Sequence, residues 1–141
     1  MKINNDLFSV KDKVICISGS SRDLGKALGL YFAAAGARVV LSSPDEVELK
    51  LSLREFEEDG LKADLVVADV SKSADCQHLV QQVVAAHGKI DTMICNAGID
   101  INLRGAYCCA KFAAQEMIGR GSGSSIMTSS IAGHLGISGL A

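Results

Sequence analysis

The chain has 141 residues, of which 48% are hydrophobic and 21% charged, and its formal net charge is -2. This hydrophobic share excludes a disordered chain, and no run of about eighteen apolar residues is present that could span a membrane. The near-neutral charge, without a basic cluster, argues against a nucleic-acid or anionic-membrane partner. We therefore expect one soluble domain over residues 1–141, with no nucleic-acid and no membrane partner.

Short apolar runs alternate along the chain with segments of helical periodicity. Residues 14–17 are continuously apolar and precede a turn rich in Ser and Gly, as expected of a buried parallel strand. Apolar residues then recur at spacings of three and four over residues 24–35, which predicts a helix that ends before Gly36. The same alternation predicts strands at residues 38–42, 63–68, 90–95 and 125–129 and helices at residues 45–59, 74–87 and 102–118.

Five strands alternating with helices are typical of right-handed βαβ units, which place helices on both faces of a parallel sheet. The predicted fold class is therefore α/β, a Rossmann-type doubly wound sheet of about five strands. In such sheets, ligands bind beyond the carboxyl ends of the strands, where the strand order reverses.

The cysteines indicate a reduced chain. They include no CxxC pair and no histidine at metal-ligand spacing, so we expect no metal site: Cys16, Cys76, Cys95, Cys108 and Cys109. The first thirteen residues lack the apolar segment and cleavage site of a secretion signal. Together these features predict a cytoplasmic protein.

A glycine-containing turn joins the first predicted strand to the first predicted helix. Residues 18–25 read Ser-Gly-Ser-Ser-Arg-Asp-Leu-Gly and are called the glycine loop below. A loop at this place can present backbone N–H groups and a helix N-terminus to a pyrophosphate. Taken alone, it is equally well explained as a simple tight turn.

The wider context resembles the short-chain dehydrogenase/reductase family, whose first turn reads Thr-Gly-x-x-x-Gly-x-Gly. In the glycine loop Ser18, Gly19 and Gly25 match this turn, whereas Asp23 replaces the middle glycine. Four further segments resemble family motifs in the family's order: Ala68-Asp69-Val70, Cys95-Asn96-Ala97-Gly98, Asn102-Leu103-Arg104-Gly105 and residues 125–133. Five ordered matches at strand ends are much more specific than any one of them.

The resemblance implies an NAD(P)-dependent oxidoreductase that interconverts a small-molecule alcohol and a ketone or aldehyde. In the family's pattern Ser130 would orient the substrate and Asn102 would belong to a proton relay. The carboxylate of Asp69 would accept a hydrogen bond from the adenine amino group. The expected cofactor-binding residues are Gly19, Ser21, Arg22, Asp23, Leu24, Gly25, Ser43, Asp69, Val70, Asn96, Ala97 and Gly98.

The end of the second strand bears on the choice of cofactor. Enzymes that bind NAD usually carry an acid there for the ribose 2′-OH, and NADP needs that acid absent and a cation nearby. Ser43 holds this position, and Arg22 supplies a cation, which favours NADP. NAD is the alternative, because Pro44 stands where many NADP-preferring members of the family have Arg, and Asp45 follows it.

Asp23 is a departure from the family pattern with a physical consequence. A carboxylate at this position is expected to cap the following helix and to repel a pyrophosphate, whereas glycine would allow close approach. We therefore predict weaker cofactor binding than in a relative that carries glycine.

The catalytic Tyr-x-x-x-Lys of the family is absent after Ser130. Tyr107 and Lys111 have the same spacing but precede Ser130 in the fourth predicted helix, and an ordinary surface tyrosine and lysine are the favoured interpretation there. Only three residues separate Gly98 from Asn102, where the family has a longer segment, which puts the relay role of Asn102 in doubt. The sequence thus predicts a shortened and catalytically silent member.

A non-catalytic dinucleotide-binding or interaction module is the alternative function. In that interpretation helix four could pair two copies in a homo-oligomer, and the last strand, residues 125–129, would form an unshielded sheet edge prone to association.

Overall fold

The fold, described by a computed structural model for residues 8–97 and 102–130, is a parallel sheet with helices on both faces. Its elements, in chain order, are β1 (Val14–Ser18), α1 (Asp23–Ala34), β2 (Arg38–Ser43), α2 (Glu46–Glu58), β3 (Ala63–Val67), α3 (Ser73–His87), β4 (Thr92–Cys95), α4 (Asn102–Arg120) and β5 (Ser124–Met127). The strand order is β3-β2-β1-β4-β5. The predicted five-stranded Rossmann-type fold is confirmed.

The register of the parallel strands brings their carboxyl ends together. Ser18 at the end of β1 pairs with Ser42 of β2 on one side and with Cys95 of β4 on the other. Because the chain leaves β1 toward β2 and returns on the far side at β4, the order reverses between β1 and β4. The glycine loop therefore lies at the point where open α/β sheets bind ligands. We call this end of the sheet the carboxyl edge.

Side chains of β1 alternate between two core layers, as expected of a strand covered on both faces. Ile15 and Ile17 pack with residues of α1 and α2, including Phe56. Cys16 packs on the other face with residues of α3 and α4. All five residues of β1 are buried, which explains why this strand is a continuous apolar run in the sequence.

β4 begins later than predicted, at Thr92 instead of residue 90. Asp91, predicted as a residue of this strand, lies just before it and binds Val14 at the start of β1. The Asp91 N–H donates to the Val14 carbonyl oxygen, and the Asp91 carboxylate accepts from the Val14 N–H at 2.9 Å. The same carboxylate contacts Lys89 Nζ at 2.7 Å and Arg120 Nη1 at 3.5 Å. This acid therefore joins the starts of β1 and β4 to the end of α4.

β5 begins one residue earlier than predicted and ends two residues earlier. In the described residues it pairs with β4 alone, and each of its four residues is exposed, Ile126 by 49% and Met127 by 53%. An exposed edge strand with apolar side chains matches the expectation from the sequence. Within residues 8–97 and 102–130, no helix combines the length and apolar character that a bilayer crossing requires.

Candidate dinucleotide-binding site

Two glycines of the glycine loop are required by close contacts. Gly19 has a φ of +65°, and a Cβ atom there would lie 2.7 Å from Ala97 Cα. A Cβ atom at Gly25 would lie 2.7 Å from Asn96 Nδ2 and still closer to the Gly19 carbonyl oxygen. No other residue type fits these positions without movement of the backbone. Glycine at both places lets the loop pack directly against Asn96 and Ala97 at the carboxyl edge, where a loop that leads into a helix N-terminus can bind a phosphate.

Asn96 joins three strand ends at this edge. Its Nδ2 donates to the Gly19 carbonyl oxygen at 3.0 Å, and its Oδ1 accepts from Thr128 Oγ1 at 3.4 Å. The backbone N–H groups of Asn96 and Ala97 donate to Ser18 Oγ at 3.2 and 3.4 Å. The structure thus brings together Gly19, Gly25, Asn96 and Ala97, all predicted site residues.

Ser20 fixes the opposite side of the glycine loop to β2. Its Oγ donates to the Ile17 carbonyl oxygen at 2.7 Å and accepts from the Ser42 N–H at 2.8 Å. The Ser20 N–H donates to the Ser42 carbonyl oxygen at 3.0 Å. Ser20 is completely buried, so its hydroxyl satisfies backbone groups of β1 and β2 and does not face a ligand.

Ser21 connects the loop to α2. Its Oγ donates to Glu48 Oε2 at 2.8 Å, and its carbonyl oxygen accepts from Ser52 Oγ at 2.5 Å. Neither Glu48 nor Ser52 was predicted as a site residue. The pattern Asp45-x-x-Glu48 was a usable signal, because an acid three residues after Asp marks a capping box at a helix start. The long-range contact to Ser21 could not be read from that pattern.

The predicted capping role of Asp23 is wrong. The N-cap of α1 is Arg22, whose backbone is extended and whose side chain makes no capping hydrogen bond. Asp23 is already the first helical residue, with a φ of +49°, so it lies one position too late to cap. Its carboxylate is 87% exposed and lies 3.7 Å from Arg22 Nε.

Arg22, predicted as the cation for a 2′-phosphate, has two carboxylate neighbours. Its Nη1 lies 3.4 Å from Glu48 Oε1, in addition to the contact with Asp23. Its side chain is 62% exposed, so both ion pairs are screened by water. Ser43 holds the position at the end of β2 where NAD-binding enzymes usually carry an acid. It is buried, and its Oγ accepts from the Asp45 N–H at 3.2 Å.

Asp69 lies just beyond β3 with its carboxylate held by local partners. Oδ1 accepts from the Ser71 N–H at 3.0 Å, and Oδ2 lies 3.3 Å from Lys72 Nζ. Hydrogen bonds from Ser71, supported by the Lys72 charge, hold the pKa of Asp69 below its usual value. The group is therefore ionised at neutral pH and can accept a further hydrogen bond. Val70 is buried in the core and accepts from Cys76 Sγ through its carbonyl oxygen.

Both predicted catalytic residues, Ser130 and Asn102, lie among the described residues. Ser130 is exposed and lies three residues beyond the end of β5, in the segment that also carries Thr128. Asn102 is the first residue of α4, and the predictions for Gly98 and for the short connection before Asn102 lie outside the described residues. Leu24, a predicted cofactor contact, is 53% exposed.

Tyr107 and Lys111 lie within α4. Tyr107 is 61% exposed, and Lys111 Nζ lies 5.8 Å from the centre of the Phe112 ring. The exposure of Tyr107 and the ring contact of Lys111 are typical of ordinary helix-surface residues.

The cysteine side chains form no candidate site. In the described ranges, no group of three or more His, Cys, Asp or Glu side chains has a geometry that could hold a metal ion. All five cysteines are free thiols. Burial raises the pKa of Cys16 to about 12 and that of Cys95 to about 11, so both stay protonated at neutral pH.

Comparison with known proteins places this geometry in a family. The model of the family described as short chain dehydrogenase matches residues 13–141. A protein of Yarrowia lipolytica (strain CLIB 122 / E 150) named "Probable NADP-dependent mannitol dehydrogenase" is 32% identical over 151 residues. That match covers 91% of this chain and 53% of the relative, so the chain spans about half of the relative's length.

Solved structures show the same similarity. A crystal structure of a short-chain type dehydrogenase/reductase from Mycobacterium marinum superposes with a TM-score of 0.87 at 30% identity, covering 92% of this chain and 60% of that one. A short chain dehydrogenase/reductase from Burkholderia phymatum, solved in complex with NAD, has a TM-score of 0.84 at 26% identity. That match covers 89% of this chain and 52% of the other.

Proposed function

The chain belongs to the short-chain dehydrogenase family, and from that premise we propose that it binds NAD(P) at the carboxyl edge for the interconversion of an alcohol and a ketone or aldehyde. The observation that carries the proposal is the pair of close contacts at Gly19 and Gly25, at the point where strand order reverses. When bound, NAD(P) supplies the hydride acceptor or donor.

The residues at this edge fit a dinucleotide. The pyrophosphate would be held by the loop backbone between Gly19 and Gly25 and by the start of α1. The ionised carboxylate of Asp69 would accept a hydrogen bond from the adenine amino group. Val70, Asn96, Ala97 and Gly98 complete the proposed contacts. Leu24 is the proposed apolar contact at the start of α1.

NADP is the proposed cofactor, with NAD as the alternative. Ser43 in place of an acid and the Arg22 guanidinium support NADP, and the Yarrowia relative is named as NADP-dependent. The neighbouring structure from Burkholderia phymatum was solved with NAD. The carboxylates of Asp23 and Glu48 lie beside Arg22, at 3.7 and 3.4 Å.

Ser130 and Asn102 are the proposed substrate-side residues: the Ser130 hydroxyl would hold the substrate oxygen, and Asn102 would contribute to proton transfer. The family's acid/base tyrosine and its lysine are absent after Ser130, so we propose that the 141-residue chain binds cofactor without turnover. A cytoplasmic location is our further prediction from the cysteines.

A titration of NADPH and NADH into the 141-residue chain, followed by cofactor fluorescence, tests the proposal. Gly25→Ala should weaken binding at least tenfold, because its Cβ would displace the loop backbone. Gly119→Ala is the matched control, because a Cβ there meets nothing within 4 Å. Failure of the unmodified chain to bind either cofactor would contradict the proposed function, and turnover of alcohols with NADP would contradict catalytic silence.

A non-catalytic interaction module is the second candidate, favoured by an apolar surface on α4. Leu103 is 85% exposed, Tyr107 61% and Ile118 77%, which is unusual for large apolar side chains on one helix. We propose that this surface pairs two copies of the chain. Sedimentation equilibrium should show a dimer that Ile118→Glu dissociates; a monomer at all concentrations would contradict the proposal.

A further inference from the structure

Glu48 contacts the glycine loop from α2 with both carboxylate oxygens. Oε2 accepts from Ser21 Oγ at 2.8 Å, and Oε1 lies 3.4 Å from Arg22 Nη1. A hydroxyl and a guanidinium that converge on one anionic group form a donor set suited equally to a carboxylate or to a phosphate monoester. Glu48 thus occupies donors that an anionic ligand could use.

The local structure of α2 leaves Glu48 available for this contact. In a complete capping box, the acid at this position reaches back to the N–H of the N-cap residue. Here the Asp45 N–H donates to Ser43 Oγ at 3.2 Å, whereas Asp45 Oδ1 accepts from the Glu48 N–H at 3.0 Å. Because Ser43 takes over the reciprocal half of the box, the Glu48 carboxylate is not needed for helix capping.

The charges around Arg22 are consequently unfavourable for a second anion. Asp23 and Glu48 both contact the guanidinium, so the three side chains together carry a charge of -1. A 2′-phosphate at Arg22 would have to displace Glu48 from Ser21 and Arg22 and would meet its negative charge. A ribose that ends in a 2′-hydroxyl brings no charge and meets no such repulsion.

We propose that Glu48 is a specificity-determining residue that weakens the binding of NADP relative to NAD by competing for Ser21 and Arg22. The inference rests on the proposed dinucleotide site. It concerns the selectivity of that site and not its existence. Glu48 acts on the 2′ substituent through the loop and takes no part in hydride transfer.

The test is Glu48→Gln, measured as dissociation constants of NADPH and NADH by fluorescence titration of the 141-residue chain. Glutamine has the same shape and can still accept from Ser21 Oγ, but it carries no charge. NADPH binding should tighten about two- to fivefold while NADH binding changes less than about twofold, as expected for a partly exposed charged contact. The gain should shrink at high salt.

Glu46→Gln provides the matched control. Glu46 lies in the same first turn of α2 and pairs with Lys50 Nζ at 2.6 Å, away from the glycine loop. It removes the same charge from the same helix end and should leave the NADPH to NADH ratio unchanged. In an Arg22→Gln background, Glu48→Gln should lose most of its effect, because the guanidinium for which it competes is gone.

The possible results separate the two proposals. If neither cofactor binds the unmodified chain, the proposed function fails. If both bind and Glu48→Gln leaves their ratio unchanged or matches Glu46→Gln, the selectivity role fails while the site stands. If Glu48→Gln weakens both cofactors equally, Glu48 only holds the loop to α2, which also overturns the selectivity role.

Discussion

Asp23 combines two features that substitution can separate. Its backbone lies in the left-handed region, with a φ of +49°, and its carboxylate is 87% exposed next to the proposed pyrophosphate position. The first feature affects the free energy of unfolding. The second affects cofactor binding.

The backbone term is worked out from the left-handed conformation. A residue with a Cβ pays about 1–2 kcal/mol there, and aspartate less than most because its short side chain tolerates this region. Glycine removes the steric cost but loses about 0.4–1 kcal/mol through the greater freedom of the unfolded chain. Asp23→Gly should therefore raise the free energy of unfolding by about 0.5 kcal/mol. Asp23→Ala should fall below Asp23→Gly by about 0.5–1 kcal/mol, because alanine pays the full steric cost and regains only the smaller unfolded-chain term.

The charge term is small, because an exposed carboxylate is screened by water. Exposed charged pairs are worth about 0.2–1 kcal/mol, so removing the carboxylate should tighten cofactor binding about two- to fivefold. The pyrophosphate is common to both cofactors, so both NADPH and NADH should gain, and NADPH slightly more because Asp23 also lies 3.7 Å from Arg22 Nε. Glu48 differs from Asp23 in that its substitution should leave NADH binding nearly unchanged.

Asp23→Asn isolates the charge, because asparagine tolerates the left-handed region as well as aspartate does. Urea denaturation measures stability, and fluorescence titration measures binding. Equal stability of the Gly and Ala variants would refute the backbone argument. Unchanged dissociation constants in both the Gly and the Asn variants would refute the repulsion of the pyrophosphate.

Two further predictions concern the core and the amino end of the sheet. Gly29→Ala should lower the free energy of unfolding by about 1 kcal/mol, because its Cβ would lie 2.9 Å from Leu41 Cδ2 in the buried core. Gly119→Ala, where the added Cβ meets open space, should raise the free energy of unfolding by about 0.5–1 kcal/mol. Equal effects of the two substitutions in urea denaturation would contradict the packing argument. Burial opposes ionisation of Asp91, but Lys89 and the backbone amide outweigh it and lower its pKa. The contribution of Asp91 to stability is therefore fully present above the pKa of this group in the unfolded chain, and it is lost as the pH falls through the lower pKa of the folded chain. Asp91→Asn should lower the free energy of unfolding by about 2 kcal/mol at pH 7 and flatten the acid side of a plot of melting temperature against pH. An unchanged acid side of that plot would contradict this linkage.

The fold could be predicted because its signals are local. The buried run of β1 and the three-four spacing of α1 each lie within one element, and Gly36, Gly60 and Gly88 mark helix ends with positive φ angles. The glycine loop was recognisable for the same reason, since its position between a strand and a helix is a matter of chain order. Some boundaries differ from the prediction by one or two residues; before β4, the Asp91 carboxylate contacts the Val14 N–H and the strand begins only at Thr92.

The electrostatics of the site could not be predicted in this way. Arg22 was expected to supply a cation, but Glu48 lies 26 residues further along the chain and reaches it only through the packing of α2 beside β2. Asp23 was expected to cap α1, and its left-handed backbone follows from the turn geometry rather than from its side chain. Contacts between distant elements decide both outcomes, and periodicity does not report them.

Dinucleotide binding at the carboxyl edge is tested most directly by following the backbone amide resonances of the 141-residue chain while NADPH or NADH is added. Progressive shifts are predicted in residues 19–25 and at Asp69, Asn96 and Ala97, and not at the opposite end of the sheet around Asp91. Shifts that map away from the glycine loop, or no shifts with either cofactor, would contradict the assignment of this site.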